Sequence, residues 1–584
     1  MVVPWPDAGF LRKIIFLTLW GHGADGAGLP PSVAFYKHCL AGENAFRPCP
    51  EGPKDAQMRP SARLIANKCV LLRRCGCPCR RAFSLVFPTL FSVNLPMHDT
   101  QNLKQRTAKG FFWAALSNGT QQVVMMLIGI VLARRLAVSD YGMVAMLTAF
   151  SVIAGNLQES GFTSALCVKR EATHADFNAV FWFNLLVSLA LYAVLFACAP
   201  LIADFNATPQ LTLLGRVSFL GFVLSSLGTA QVAWLFRALM VRQKTTSQVL
   251  ASLVSGAVGL TAAGFGAGCW SLVWMDLAYK GCHTALVWYH SPWRPSFHID
   301  LRPAFAMFGF GSRLLVSNLL TTLNAQLLQT LLGHFYPASQ VGQYSQANKW
   351  NTMGYSLLTS MVGNVAQPVL AGVNDERERQ LRIFRKMLRF TAMLAFPALG
   401  GFALIAPEFI PLVIGAKWST CVPYLQTLCV AGAFIPVCQV YSNLLISKGA
   451  SGLYLCSTAI FLLCQLAGVL WLSSRGIGPL LYWVTSLQVL WLLVWHGFAR
   501  RFTQLPLRAL LSDLCPFLFT ALLALAAGHG LSQFADNELL RLLVKVATAV
   551  AVYAGGMYWL RIDIWQEGVE FVARKFRRGG GPDD

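Results

Sequence analysis

Charge is what this sequence has least of. Asp, Glu, Lys and Arg make up 12% of its 584 residues, where soluble domains carry roughly 25%. A soluble chain of this length could not cover its surface with so little charge. Soluble, disordered, coiled-coil and collagen-like classes are therefore excluded, and nucleic-acid binding with them. Acidic residues are scarcest: 25 against 47 basic, a formal net charge of +22. Long polar loops are missing too. The longest internal one centres on Asn374–Arg382, too short to hold a catalytic domain. Metal patterns are absent: the ten His form no HExxH or paired-ligand spacing. The row Cys75-Gly-Cys77-Pro-Cys79 has no His or second Cys pair at zinc spacing. Most later cysteines lie inside apolar runs, where Cys behaves as a small hydrophobe, so no disulfide framework is read.

What is present is apolar sequence, 55% of residues, with a mean hydropathy of +0.53. The chain reads as an all-α polytopic membrane protein. Residues 1–96 stand apart. They are rich in Pro, Gly, Arg and Cys, show no sustained periodicity, and carry six cysteines. The short apolar run Ile14–Trp20 after Arg12-Lys13 lacks a clean cleavage site. At Met97 a short basic tail with Lys104, Arg106 and Lys109 leads into the first long apolar segment. Met97 is the expected functional start, and 1–96 an atypical, mis-called or dispensable extension.

A span needs about 20 mostly apolar residues. Fourteen candidates follow Lys109: 110–134, 140–160, 176–202, 209–236, 245–267, 269–290, 305–333, 340–370, 384–415, 419–447, 450–473, 477–499, 509–533 and 538–560. Placing the basic tail in the cytoplasm and alternating puts most Lys and Arg on that side. The opposite side receives only Arg134, Arg135, Lys417, Arg475, Arg541 and Lys545. A wrong count would scramble that bias, so both termini are expected in the cytoplasm.

Spans one and seven also align at an offset of 200. Leu116-Ser117-Asn118 faces Val316-Ser317-Asn318, Leu132 faces Leu332, and Ser139 and Gly142 face Ser339 and Gly342. Spans one and seven share an orientation, so two six-helix lobes would form a parallel repeat, followed by two C-terminal helices. The expected organisation is a first lobe at 97–290 with helices 1–6 and a cytoplasmic linker at 291–304. A second lobe with helices 7–12 follows at 305–500, then helices 13–14 at 501–561 and a cytoplasmic tail at 562–584.

Several stretches carry a family resemblance: Val131–Gly142 (VLARRLAVSDYG), Ala179–Asn184 (AVFWFN), Leu332–Ala347 (LGHFYPASQVGQYSQA) and Ala406–Trp418 (APEFIPLVIGAKW). Through them the chain from Met97 to about Phe571 resembles the Wzx-type polysaccharide flippases, specifically the WzxC-like branch. These belong to the multidrug/oligosaccharidyl-lipid/polysaccharide exporter superfamily. The resemblance implies two six-helix lobes in a V around a central cavity, in the bacterial inner membrane. It implies alternating-access transport of an undecaprenyl-pyrophosphate-linked oligosaccharide such as an O-antigen, exopolysaccharide or capsule repeat unit. Membrane lipids, a polysaccharide polymerase and export machinery are the implied partners. Family members often carry Asn-Leu-Asp in span seven, where this sequence reads Leu323-Asn324-Ala325, so the acidic residue of that triplet does not carry over. Other readings are a peptidoglycan-precursor flippase or small-molecule extruder of the same superfamily, and a membrane polysaccharide polymerase or ligase. Short loops weigh against the enzyme.

An ionisable group inside the membrane costs about 3 kcal/mol or more and persists where it meets a wet cavity or a partner. Arg313, Lys349, Lys280 and Arg216 are such groups. Cationic donors compensate an anionic head group leaving water. The resemblance places spans one, two, seven and eight around the cavity, which makes Arg313 and Lys349 the first candidates for the pyrophosphate. Asp276 precedes Lys280 by four residues, so those two also read as a self-neutralising pair. Arg216 also reads as a snorkelling or carbonyl-binding residue. Asn118, Gln122, Asn318 and Asn324 are candidate sugar contacts, with interhelical hydrogen bonding as the alternative. Glu159 and Asp276 are candidates for coupling to H+ or Na+. No cofactor or metal is expected. Glu408, after Pro407, reads as structural, and the cluster Arg377–Arg389 as a solvated cytoplasmic helix entrance.

Overall fold

The computed structural model describes residues 119–159, 166, 169, 172–238, 240–373 and 376–560, with a few beyond. They belong to the compact unit Asp99–Asp584. Asn118 and everything expected of residues 1–96 lie outside the described residues, as do the side chains of Glu159 and Arg313.

In hydrocarbon every backbone amide must be satisfied within the protein, which leaves the helix as the default state. The described residues form fourteen long helices. These are α1 (119–135), α2 (Val138–Glu159), α3 (His174–Phe205), α4 (Leu211–Arg237, interrupted at Phe219), α5 (Val241–Gly264), α6 (Trp270–His290) and α7 (Arg302–Phe335). The rest are α8 (Ala338–Gly372), α9 (Arg377–Ile414), α10 (Cys421–Ser447), α11 (Ser451–Leu472), α12 (Ile477–Thr503), α13 (Leu507–Ser532) and α14 (Glu538–Trp559). Each matches one apolar segment of the sequence.

Ten of these helices are long and apolar enough to cross a membrane by length and composition. The others are α1, of which 17 residues are described, and α6, α7 and α8. These last three carry polar and charged residues in mid-helix, among them Asp276, Lys280, Gln326 and Lys349.

The starts and bends of the helices have local causes. Thr173 caps α3: its hydroxyl accepts from the Asp176 amide, and the Asp176 carboxylate accepts from the Thr173 amide. Lys169 closes the cap at 2.7 Å from Asp176. Proline inside a helix frees the carbonyl four residues earlier, and three such carbonyls find donors on neighbouring helices. Pro200 frees Phe196, which accepts from Arg216 Nε at 3.5 Å. Pro397 frees Met393, which accepts from Tyr553 Oη at 2.8 Å. Pro407 frees Ala403, which accepts from Gln426 Nε2 at 3.1 Å. Bent helices thus become points of attachment.

Packing repeats along the chain. In the first half α4 packs on α2, α3 and α6, and α5 on α6. In the second half α10 packs on α8, α9 and α12, and α11 on α12. The close approach of Ile128 in α1 to Gly256 in α5 has its counterpart in the packing of α7 on α11. Helices α13 and α14 pack on each other and on α9. Lys545 of α14 meets Glu408 of α9 at 2.7 Å with both side chains buried, and also donates to the Leu404 carbonyl at 3.1 Å. Asp513 of α13 is 1% exposed and takes Arg385 and Arg389 of α9 at 2.7 and 2.5 Å. That corrects the expectation of a wholly solvated Arg377–Arg389 cluster: two of its arginines hold a buried carboxylate.

The two halves meet mainly through α2, which packs on both α7 and α8. At the start of α2 and α8 they touch backbone to backbone. A Cβ on Gly142 would fall 1.7 Å from the Ala338 carbonyl oxygen, and one on Gly342 would fall 2.2 Å from that of Val138. No side chain fits at either position.

Candidate functional site

Farther along the same interface the helices part around a cavity of about 810 Å³. Side chains at helical spacing supply its walls. Helix α2 contributes Thr148, Ser151 and Asn156; α4 contributes Ser218, Ser225 and Thr229. Asp276, Lys280 and His283 come from α6, Gln326 and Gln329 from α7, and Gln346, Asn348 and Lys349 from α8. Much of this lining already has partners. Asn156 Nδ2 donates to Thr322 Oγ1 at 2.6 Å, and Gln329 Nε2 to the Ala145 carbonyl at 2.9 Å. Both bonds join α2 to α7.

The charged residues divide by company. Lys280 Nζ lies 2.6 Å from Asp276 Oδ2, with the two side chains 25% and 45% exposed. It also lies 5.7 Å from the centre of the Phe222 ring. The pair is neutral overall. Lys349 is different. It sits in the middle of α8 yet is exposed, because the cavity reaches it. Among the described residues no carboxylate pairs with it. Its ammonium rests against α1, where a Cβ on Gly129 would fall 2.9 Å from Nζ. Lys280 lies in a similar notch on α4, with Nζ 2.8 Å from where a Gly221 Cβ would be.

The structure therefore brings Lys349, Lys280 and Asp276 to one cavity. The other described candidates lie elsewhere. Arg216 stacks on the Phe196 ring at 4.4 Å and binds the carbonyl freed by Pro200. Asn324 Nδ2 donates to the Leu320 and Thr458 carbonyls at 3.1 and 3.0 Å, tying α7 to α11. Gln122 and Asn318 are exposed and do not line the cavity. The polar stripes of α2 and α4 were not singled out in the sequence. Their signal was there: Ser218, Phe222, Ser225, Thr229 and Val232 recur at three- and four-residue steps, which is one helix face. His283 was missed as well. It lies one turn beyond Lys280, its ring stacked against Tyr279 at 5.9 Å.

A bundle of this kind, with a polar cavity between two similarly packed halves, defines a membrane transporter. Residues 131–423 match the polysaccharide biosynthesis protein family, and the chain belongs to it. Its curated relatives include teichuronic acid biosynthesis protein TuaB of Bacillus subtilis (strain 168). That protein is 24% identical over 77% of this chain and 95% of its own length. Lipopolysaccharide biosynthesis protein WzxC of Escherichia coli (strain K12) is 26% identical over 59% of this chain and 71% of its own. Succinoglycan biosynthesis transport protein ExoT of Rhizobium meliloti (strain 1021) is 22% identical over 78% and 93%. The fold is that of a lipid II flippase, MurJ, in an inward closed conformation. The match has a TM-score of 0.61 at 14% identity, over 77% of this chain and 99% of that one. An inward-facing multidrug transporter of the MATE family is also similar, with a TM-score of 0.54 at 14% identity over 66% and 97%. The protein is thus a multi-pass membrane transporter of a bacterial polysaccharide pathway.

Proposed function

We propose that the protein is a flippase for an undecaprenyl-pyrophosphate-linked oligosaccharide, moved from the inner to the outer leaflet of the inner membrane by alternating access. The observation that carries this reading is Lys349: an ammonium that no carboxylate among the described residues pairs with, on the wall of a polar cavity between the two halves. The pyrophosphate takes Lys349. Lys280 joins once the anion competes with Asp276, and Arg313 is the second cation assigned by sequence. Hydroxyl and amide side chains of α2, α4, α7 and α8 suit a glycan, whose hydroxyls both donate and accept.

The repeated packing of α1–α6 and α7–α12 supports two rocking lobes, 97–290 and 305–500, with α13 and α14 added to the second. The positive-inside bias supports cytoplasmic termini, and on that reading the Gly142–Gly342 contact faces the outer side. Asp276, released from Lys280 by the anion, is the coupling site for H+ or Na+; Glu159 is the alternative. A polysaccharide polymerase and export machinery receive the product.

The test is accumulation of lipid-linked glycan in cells lacking the gene. Wild type clears undecaprenyl-linked oligosaccharide from the cytoplasmic leaflet, and Lys349→Ala does not. Absence of any accumulation sinks the flippase assignment. Accumulation of peptidoglycan precursor alone moves it to that substrate.

A further inference from the structure

The four outermost turns of the halves hold each other by exchanging helix caps. The last carbonyls of a helix have no partner within it and carry the negative end of its dipole. Helix α9 ends at Ile414, and Arg134, at the end of α1, reaches across to it. Its Nε donates to the Val413 carbonyl at 2.7 Å and its Nη2 to that of Leu412 at 2.5 Å. The return contact comes from the turn after α9. Lys417 Nζ donates to the carbonyls of Arg134 and Leu136 at 3.0 and 2.5 Å. The Trp418 indole, fully buried, donates to that of Ala133 at 3.0 Å. Trp418 also meets the Tyr141 ring edge-on at 5.4 Å, and Tyr141 lines the cavity. Each half therefore caps the other's helix, directly above the cavity end.

The arrangement is doubled. His334 stands where Arg134 stands in the repeat, at the offset of 200. Its Nδ1 lies 2.6 Å from the carbonyl of Phe205, the last residue of α3, and its ring stacks on Phe205 at 4.2 Å. Helix α3 occupies in the first half the packing position of α9 in the second. The Gly142–Gly342 backbone contact joins the same two halves.

We propose that these crossed caps are the outer latch of the transporter, and that the outward-open state forms by breaking them. The proposal rests on the alternating-access reading. Its physical logic is reversibility. Arg134 and Lys417 are exposed and bind carbonyls that water can also satisfy, so breaking their bonds strands no charge, while separation must hydrate the buried Trp418–Ala133 bond. The apolar Trp418 and the glycine contact give the closed state its fit, and the cations give it register. The latch also accounts for basic residues on a side where the positive-inside bias disfavours them: Arg134 and Lys417 are there to cap helices.

The test uses the full chain carrying Thr148→Cys, a cavity position. A membrane-impermeant maleimide is applied from the outer side of intact cells, and the labelled peptide is read by mass spectrometry. Charge-assisted hydrogen bonds are among the stronger ones, and exposure to water weakens them. Arg134→Ala and Lys417→Ala should therefore each raise outer labelling about threefold to tenfold, and the double variant more. Lys417→Arg, which keeps the donors, should stay near the parent, and His334→Ala should show a smaller rise. If the double variant does not accumulate in the membrane, Lys417→Met serves, since it keeps the stem and removes only the ammonium. Unchanged labelling in either, at normal protein level, overturns the latch. Faster labelling only from the cytoplasmic side overturns its outer placement. The labelling needs no substrate, so failure of the lipid-glycan assay would sink the flippase assignment and leave this result standing.

Discussion

The interface between α2 and α8 behaves in two ways within one helix length. At Gly142 and Gly342 the backbones touch and no Cβ fits. About one to two and a half turns farther on, the helices carry Thr148, Ser151, Gln346 and Lys349 and part around a cavity. The first region is fixed by shape, the second by solvation. A variant that damages the first should change stability and sidedness, and one that damages the second should change transport while the fold stands.

Gly142→Val tests the contrast most severely. The added atoms collide with the Ala338 carbonyl, and overpacking of this kind costs about 3 kcal/mol or more. A fall in membrane level and in detergent melting temperature is expected, whereas Thr148→Val, on the cavity wall, should leave both near the parent. Equal melting temperatures for the two would erase the distinction. The buried pair away from the interface gives a calibration. Glu408→Ala leaves the Lys545 ammonium unpaired among buried neighbours, a loss of about 3–5 kcal/mol, read as a lower melting temperature with Glu408→Ala/Lys545→Met partly restored.

The cavity side is tested next. Lys349→Ala should reduce glycan clearance about tenfold to a hundredfold, from the loss of a charge-assisted contact, with the melting temperature unchanged. A fall in both would make Lys349 a structural residue. The smallest effect belongs to Asp276→Asn. Removing the competitor for Lys280 should tighten binding of an anionic lipid-linked glycan by up to about fivefold, the scale of a partly exposed pair. Because Asp276 is also the proposed coupling site, net transport should fall as binding tightens. Weaker binding would mean that Asp276 orients Lys280 instead of opposing it.

Much of the bundle is legible in the sequence. The segment expected at 419–447 is α10, Cys421–Ser447, and that expected at 538–560 is α14, Glu538–Trp559. Hydrophobic length carries that information, because the bilayer leaves the backbone no other partner than itself. The site was legible in part. Lys349, Lys280 and Asp276 announce themselves as charges inside apolar sequence. Arg216 announces itself equally loudly, yet it serves the carbonyl that Pro200 frees on a neighbouring helix. Nothing local distinguishes the two roles, since both place a cation in mid-span.

The six basic residues of the sparsely charged side show where sequence ends and tertiary structure begins. The sequence by itself determined that they lie on the sparsely charged side, because charge alternation follows from span count. Only the tertiary structure decided what each does. Arg134 and Lys417 cap helices of the opposite half, Lys545 neutralises Glu408, Arg541 binds the Ala535 carbonyl at 3.1 Å and Arg475 covers the Trp471 ring. Arg135 approaches α5 at Gly264. Helix formation depends on near neighbours in the chain and on the solvent around it, so it is written locally. A cation's role depends on which orphaned carbonyl, ring or carboxylate folding brings within about 3–5 Å, and those partners lie up to 283 residues away.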